Sequence, residues 1–272
     1  MLLFLTNDDG FEGEGLKVLA DRLSCEHEVW VVSPDRNRSG VSNHFSMTEK
    51  LKLTKIKERF YKYEGFPADC TLLATRGYGV VLPRMPDAVI SGINRGANIG
   101  TDLVYSGTAA AARQAVINGV PAVALSIDSD DDNFYYNQLA DFAAKNLEKL
   151  LSMCIVSTQA LKQKTRCAFV NVNAKSSKEA YKGVRITDTA FREYNDYIEI
   201  TRINENVSYC RTIGRGTTTS SINYSDFEAV EEGYISVSRV CAEVESVKNL
   251  PFDSAEPSGT TNRTVDGISF SL

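Results

Sequence analysis

Residues 1–10 read Met1-Leu2-Leu3-Phe4-Leu5-Thr6-Asn7-Asp8-Asp9-Gly10, an apolar run that ends in a polar turn. Leu2–Leu5 is too short for a helix, and the turn signal after it predicts a buried β-strand. Ligands of open α/β sheets bind beyond the carboxyl ends of the strands, which is where Asp8 and Asp9 lie. Gly10 permits the turn that would bring both carboxylates to one hard cation. A solvated turn that caps the next helix explains the same residues equally well.

The segments that follow have the order of an α/β protein. Apolar residues at helical spacing predict a helix over Glu14–Ser24, and Val29–Val32 predicts a second strand. Because a strand, a helix and a strand follow one another so closely, we expect a βαβ unit with a parallel sheet. We also expect a hairpin formed by Leu51–Ile56 and Arg59–Tyr63, and one long helix over Tyr135–Met153.

The pattern changes near residue 182, after which short alternating segments rich in β-branched residues predict antiparallel hairpins. The Ser-, Thr- and Gly-rich end of the chain is typical of a mobile terminus. We therefore predict a catalytic core over 1–181, a β-rich extension over 182–253 that serves oligomerisation, and a mobile tail over 254–272.

The composition excludes several classes of protein. A net charge of −5 over 272 residues, with no Lys- or Arg-rich stretch, argues against nucleic acid as a partner. No apolar run approaches the roughly 18 residues of a membrane span. Leu2–Leu5 is too short for the core of a signal peptide and has no basic segment before it, so we do not expect it to serve as one. The six cysteines lie far apart, so we expect reduced thiols without a zinc or disulfide framework. The prediction is a cytoplasmic protein with no membrane partner.

Three polar loops follow three of the predicted parallel strands: Asn7–Gly10, Pro34–Gly40 and Ser91–Asn98. A parallel sheet brings such loops to one edge, where they offer two carboxylates, a hydroxyl and amide oxygens. These are the hard ligands that Mg²⁺ and Mn²⁺ prefer. The three loops together favour a metal site over three unrelated turns.

A possible phosphate site lies at Tyr105-Ser106-Gly107-Thr108, where the chain enters an Ala-rich helix. Free N–H groups at a helix N-terminus, two hydroxyls and a glycine suit a phosphate, although an ordinary Ser or Thr cap explains them too. Arg36, Arg38 and Arg95 lie on the ligand-side loops, where they could neutralise phosphate or simply be solvated. The acidic run 128–133 is predicted to cap the helix that follows it.

Other chemistries lack their motifs. The chain has no Gly-x-x-x-x-Gly-Lys-Ser/Thr loop and no Gly-x-Ser-x-Gly elbow, and Gly13-Glu14-Gly15 does not extend to a dinucleotide fingerprint. A nicotinamide oxidoreductase is therefore disfavoured. His27 and His44 are the only histidines; His27 precedes a strand, and His44 lies in the long polar loop, where it either donates to a substrate or is an ordinary loop residue. A Ser-His-Asp hydrolase is therefore disfavoured.

The loops, taken in order, resemble the SurE (survival protein E) family of metal-dependent nucleotidases and phosphomonoesterases. The resemblance rests on these motifs: Thr6–Gly10, Ser33–Gly40, Gly65–Cys70, Ser91–Gly100, Tyr105–Ala110, Asn171–Asn173, Gly183–Arg185 and Asp226–Val237. It implies a Rossmann-like core and a C-terminal extension exchanged between the subunits of a homodimer or homotetramer. The segment from Phe191 to Asn223 departs from the family, because it lacks the family's Arg-Asp-Pro-rich hairpin sequence.

The resemblance also implies the site and the reaction. One divalent cation per subunit, Mg²⁺ or Mn²⁺, would be held by Asp8, Asp9, Ser39 and Asn94. Catalytic roles fall to Asp8, Asp9 and Asn98, and the substrate phosphate would lie near Ser106, Gly107, Thr108 and Arg36. The expected activity is a 5′-nucleotidase, an acid-phosphatase-like phosphoric monoester hydrolase that acts on nucleoside 5′- and 3′-monophosphates. The alternative is a non-catalytic nucleotide-binding sensor on the same fold.

Overall fold

The computed structural model describes residues 1–220 and 224–244, together with two short strands nearer the C-terminus. The chain forms two compact units, Met1–Ala242 and Glu243–Leu272. Within the second unit, Thr264–Val265 and Ile268–Ser269 pair as antiparallel strands. The rest of the predicted tail, 254–272, lies outside the described residues, and the predicted boundaries at 181 and 253 stay predictions.

The first unit alternates strands and helices over most of its length. Its strands are β1 (Leu2–Thr6), β2 (Glu28–Pro34), β3 (Leu53–Lys57), β4 (Phe60–Tyr63), β5 (Ala88–Arg95), β6 (Ala122–Asp128), β7 (Ala168–Lys175), β8 (Val184–Ile186), β9 (Phe191–Tyr194), β10 (Tyr197–Arg202), β11 (Ser208–Ile213), β12 (Thr217–Ser220) and β13 (Ile235–Cys241). Its α-helices are α1 (Glu14–Ser24), α2 (Pro67–Arg76), α3 (Gly107–Ile117), α4 (Asn137–Lys145), α5 (Leu147–Ser152), α6 (Ser157–Gln163) and α7 (Asp226–Glu231). A 3-10 helix spans Gly100–Val104.

Nine of these strands form one sheet in the order β3-β4-β2-β1-β5-β6-β7-β13-β8. Neighbours from β4 to β7 pair in parallel, whereas β3 pairs antiparallel with β4 and β13 pairs antiparallel with β7. The predicted α/β class, a mostly parallel sheet flanked by helices, is confirmed. The carboxyl ends of β1, β2, β5, β6 and β7 therefore lie along the same edge.

The core of the first unit is built around β1, as the apolar opening run predicts. Residues 2–5 are at most 1% exposed, because the strand lies in the middle of the sheet with helices on its faces. The predicted helix Glu14–Ser24 is confirmed, and it buries Leu16, Leu19 and Leu23 on one face. None of the helices in the described part of the chain is long and apolar enough to span a membrane.

Two features differ from the sequence-based expectations. The predicted single helix over Tyr135–Met153 is divided into α4 and α5 at Asn146. The Asn146 side-chain amide donates to the Phe142 carbonyl at 2.9 Å, so the side chain competes for the acceptor of the helix backbone. The second difference is β13, a strand from the predicted extension that is hydrogen-bonded to β7 in the main sheet.

We call residues 191–220 the arm. It consists of two antiparallel ladders, β10 with β11 and β9 with β12, as predicted for this region. The prediction is wrong for Gly183–Thr187, because β8 pairs in parallel with β13 in the main sheet. Many large apolar side chains of the arm are exposed: Phe191 at 62%, Ile198 at 54%, Ile200 at 65% and Tyr209 at 70%. Such a concentration of exposed apolar groups is typical of a surface that meets another molecule.

Candidate active site

The turn after β1 is held against the loop after β2. Asn7 connects them: its side-chain amide donates to the Gly10 carbonyl at 2.9 Å, and its side-chain oxygen accepts a hydrogen bond from the Ser33 hydroxyl. The Arg38 N–H donates to the Asp8 carbonyl at 2.7 Å. Gly10 has a φ of +94°, and a Cβ there would lie 2.7 Å from the Arg36 carbonyl carbon. Glycine at position 10 is therefore required both by the turn and by the close approach of the second loop.

Asp8 lies at the N-terminus of α3 and is only 3% exposed. One carboxylate oxygen accepts from the Gly107 N–H at 3.1 Å, and the other accepts from the Thr108 hydroxyl. Burial raises the pKa of Asp8, although the hydrogen bonds from Thr108 and Gly107 act in the opposite direction. A Cβ at Gly107 would lie 2.8 Å from the Asp8 Cβ, so this glycine makes room for the carboxylate.

Asp9 faces the loop after β5. Its Oδ2 accepts from the Arg95 N–H at 3.0 Å, which connects the ends of two neighbouring strands. Burial raises the pKa of Asp9 to about 6, and the negative charge of Asp8 acts in the same direction. No ion pair of the described residues involves Asp8 or Asp9, so the two adjacent carboxylates have no cationic side chain bound to them.

Asn94 reaches the same edge through an irregularity in the sheet. The register between β5 and β6 shifts between Ser91 and Asn94, and such bulges often redirect a side chain beside a functional site. Asn94 is 8% exposed, and its amide nitrogen donates to the Gly96 carbonyl at 2.8 Å. This orientation leaves the amide oxygen of Asn94 as the atom that can bind a cation.

Ser39 and Arg36 lie on the loop after β2, and both are exposed. The Ser39 N–H donates to the side-chain oxygen of Asn37 at 2.8 Å. Within residues 1–220 and 224–244, no hydrogen bond joins the Ser39 hydroxyl or the Arg36 guanidinium to Asp8 or Asp9. The structure brings Asp8, Asp9 and Asn94 to one edge, and Ser39 stands on the adjoining loop.

Asn98 lies in a buried network that spans three strand ends. Its N–H donates to the Asn173 side-chain oxygen at 2.8 Å, and its carbonyl accepts from the side-chain amides of Asn171 and Asn173, both at 3.0 Å. The Asn98 amide nitrogen donates to the Ser126 hydroxyl at 2.8 Å. The backbone and side chain of Asn98 are therefore fixed before any substrate binds, with the amide oxygen left over.

The first turn of α3 uses most of its donors within the protein. Ser106 caps the helix, since its hydroxyl oxygen accepts from the Ala109 N–H at 2.9 Å, as the alternative interpretation of this stretch expects. Gly107 and Thr108 donate to Asp8, as described above. The predicted contacts of Ser106, Gly107 and Thr108 with phosphate stay predictions.

Asp226 and the two asparagines of β7 carry roles that the sequence did not reveal. Buried Asp226 accepts from the Gly100 N–H and from the Ala190 N–H, both at 2.8 Å, and so anchors the loop between Asn98 and α3. The polar alternation of Asn171 and Asn173 within an apolar strand was the signal available for the asparagines. Asp226 lies in the first turn of α7, where an acidic residue commonly stabilises the helix N-terminus. Its position in the sequence therefore did not indicate that it anchors the loop before α3.

The acidic run 128–133 does not cap α4, so that prediction is wrong. Lys175 at the end of β7 lies among Asp128, Asp130 and Glu231, with its Nζ 2.9, 2.6 and 2.9 Å from their carboxylates. These three acids are the group that the described residues bring close enough to hold a metal ion. Because the Lys175 ammonium occupies its centre, we assign this cluster to structural ion pairing, and the cation site at Asp8 and Asp9 stays a prediction.

A mostly parallel α/β fold with adjacent carboxylates at the carboxyl ends of its strands defines a class of small-molecule-binding Rossmann-like proteins. The comparisons identify the family within that class. The family model described as survival protein SurE matches residues 3–196, and the chain belongs to this family.

Relatives in other organisms match nearly the whole chain. A protein of Campylobacter lari named 5′-nucleotidase SurE is 34% identical over 252 residues, which cover 91% of this chain and 95% of the relative. A Thermoanaerobacter protein of the same name is 35% identical and covers 88% of this chain and 92% of its own length. The solved structure of the SurE protein from Aquifex aeolicus is 31% identical, with a TM-score of 0.73, over 90% of this chain and 95% of that one.

Proposed function

We propose that the protein is a divalent-metal-dependent phosphomonoesterase that hydrolyses nucleoside 5′- and 3′-monophosphates to nucleoside and phosphate. One observation carries the proposal: the adjacent Asp8 and Asp9 lie at the strand ends without an ion pair among the described residues, in a chain whose relatives are named 5′-nucleotidase SurE. The activity in those names supports nucleoside monophosphates as the substrates.

The residues at this edge fit a hard divalent cation. Two adjacent carboxylates and an amide oxygen are oxygen ligands, and two carboxylates leave coordination positions open for water and substrate. We propose that Asp8, Asp9, Ser39 and Asn94 hold one Mg²⁺ or Mn²⁺ ion per subunit. When bound, the ion supplies Lewis-acid stabilisation of the phosphoryl group and lowers the pKa of a bound water.

The protein's own groups orient the reactants. Asp8 is held in place by Gly107 and Thr108. Asn98 offers the second N–H of its side-chain amide from a rigid network, since the first donates to Ser126. Asp9, whose carboxylate is fixed at this edge by the Arg95 N–H, is also the candidate general base that takes a proton from the attacking water. A bond forms between the water oxygen and phosphorus, the ester P–O bond breaks, and the nucleoside oxygen takes up a proton from solvent water.

Attack by water is favoured over a phosphoaspartate at Asp8, because the buried Asp8 carboxylate accepts from Gly107 and Thr108 and would also bind the metal ion, which together leave it a poor nucleophile. Acid quench of a reaction with ³²P-labelled substrate distinguishes these routes. Label that remains on denatured protein would contradict direct attack.

The decisive assay measures phosphate release from a panel of nucleoside monophosphates with Mg²⁺, with Mn²⁺ and with chelator. We expect metal-dependent turnover that Asp8→Asn abolishes and Asn94→Ala weakens through metal affinity. Asp21→Asn, at an exposed carboxyl of α1, serves as the control. If no metal supports turnover while nucleotides still bind, the chain is a nucleotide sensor and the enzyme proposal fails.

We also propose that the arm lies between the subunits of a homodimer or homotetramer. Support comes from the exposed apolar side chains of β9, β10 and β11. Light scattering coupled to size-exclusion chromatography measures the mass in solution. A monomer at micromolar concentration would contradict this part of the proposal. The cytoplasmic location is a separate prediction that this measurement does not test.

A further inference from the structure

A cavity of about 540 Å³ opens beside Asp9. Its volume lies within the range of small-molecule sites, roughly 300–1,000 Å³. The walls include Asp9, Arg95 and Phe134, with Tyr136 behind them. The other proposed metal ligands and the first turn of α3 do not line the cavity. It therefore adjoins the proposed reaction centre without being part of the metal or phosphate site.

Arg95 and Phe134 lie one over the other in one wall of the cavity, and we call this pair the Arg95–Phe134 layer. The Arg95 guanidinium lies over the Phe134 ring, 5.0 Å from its centroid. The Phe134 and Tyr136 rings are nearly parallel, at an interplanar angle of 15° and a centroid separation of 6.0 Å. Asp132 keeps the guanidinium in place, since its Oδ2 accepts from Arg95 Nη2 at 2.8 Å. Planar guanidinium and aromatic groups are the surfaces on which nucleobases stack.

Arg95 also connects this layer to the proposed metal site. Its N–H donates to Asp9 Oδ2 at 3.0 Å, while its side chain covers Phe134. A phosphate held at Asp8 and Asp9 would therefore have its ester oxygen next to the cavity, and the attached nucleoside would extend into it. We propose that this cavity binds the nucleoside of the substrate, with the base stacked on the Arg95–Phe134 layer; the proposal rests on the proposed nucleotidase function.

The negative charge of the cavity favours binding of a neutral nucleoside and disfavours binding of additional phosphate groups. Its lining includes the carboxyl groups of Asp9, Glu12, Glu14 and Asp132 against the single cation Arg95. Carboxylates accept hydrogen bonds from ribose hydroxyls and from amino groups of bases. They repel a second or third phosphate, so nucleoside monophosphates are favoured over diphosphates and triphosphates.

The first test compares two phosphate esters in the full-length, metal-loaded protein. Adenosine 5′-monophosphate carries a base, whereas glycerol 2-phosphate has none. Phe134→Ala is expected to lower the ratio of their kcat/KM values by about 10-fold, in line with the roughly 1–3 kcal/mol that a stacked base contributes. Phe134→Tyr restores the ratio, because the aromatic face is kept. The matched control is Tyr135→Ala: Tyr135 adjoins Phe134 in the chain, but its ring lies against Lys178.

The second test does not depend on turnover. Titration of adenosine into chelator-treated protein, followed by NMR, measures binding of the nucleoside alone. We expect wild-type protein and Tyr135→Ala to bind adenosine and Phe134→Ala to bind it about 10-fold more weakly. If no ester is hydrolysed but this order of binding is found, the proposed function fails while the inference stands. An unaltered kcat/KM ratio in Phe134→Ala, equal adenosine affinities, or no adenosine binding by the wild type would each overturn it.

Discussion

Replacing Asp9 by Asn should stabilise the metal-free protein. Raising the pKa of Asp9 from 3.8 to about 6 makes the ionised carboxyl about 3 kcal/mol less favourable in the folded state than in the unfolded chain at pH 7.5. Asn is neutral and keeps an oxygen that can accept from the Arg95 N–H. We therefore expect Asp9→Asn to raise the free energy of unfolding by about 2–3 kcal/mol. That gain corresponds to several degrees in Tm.

The effect should depend on pH in a defined direction. The folded state holds the Asp9 proton up to about pH 6, while the unfolded chain releases it near pH 3.8. The contribution of Asp9 to the free energy of unfolding of the wild type should therefore decrease as the pH rises from about 4 to about 6. The advantage of Asp9→Asn should be small at pH 4 and complete above pH 6.5.

Urea unfolding in chelator at pH 4.5, 6 and 7.5 measures this difference. The control Asp21→Asn, at an exposed position, should stay within about 0.5 kcal/mol of the wild type at each pH. Adding Mn²⁺ should stabilise the wild type by mass action and Asp9→Asn much less. A loss of stability in Asp9→Asn at pH 7.5, or a gain that does not change between pH 4.5 and 7.5, would refute the reasoning.

Three further predictions concern single positions. Gly10→Ala should lower the free energy of unfolding by at least about 1–3 kcal/mol, and by more than Gly40→Ala does in thermal melts. Both glycines have a positive φ, but only at Gly10 would a new Cβ lie within 4 Å of other backbone atoms. Cys25 should react quickly with Ellman's reagent and Cys70 only on unfolding, because burial raises the pKa of the Cys70 thiol. Asp226→Asn should cost about 1–3 kcal/mol in urea unfolding, because an amide cannot accept from both Gly100 and Ala190 through two oxygens.

The parts of the fold that follow from local pattern were predictable. Leu2–Leu5 and Glu14–Ser24 were recognisable because hydrophobic periodicity reports which face is buried. The convergence of Asp8 with Asn94 also followed, since parallel strands end at one edge. The position of Ser39 could not be predicted in the same way, because the conformation of a long polar loop depends on contacts with other parts of the protein.

The features that the sequence concealed depend on pairing between distant segments. Lys175 is 45 residues or more from each of its acidic partners, so no local pattern could assign the run 128–133 to ion pairing. Strand β13 looked like part of a separate extension, yet it pairs with β7 through six residue pairs. Isolated strand patterns do not show which edge a strand will join, because strand propensity reflects packing against neighbours.

The first turn of α3, predicted to bind phosphate, has a carboxylate of the protein itself as its immediate partner. A helix N-terminus carries a partial positive charge and favours any anion beside it. In this protein the anion is Asp8, which receives the Gly107 N–H and the Thr108 hydroxyl. These bonds oppose the effect of burial on the pKa of Asp8 and so favour its ionised form, which the proposed cation site requires. A substrate phosphate that approaches α3 must then be held with Asp8 in place, through donors that Asp8 does not use.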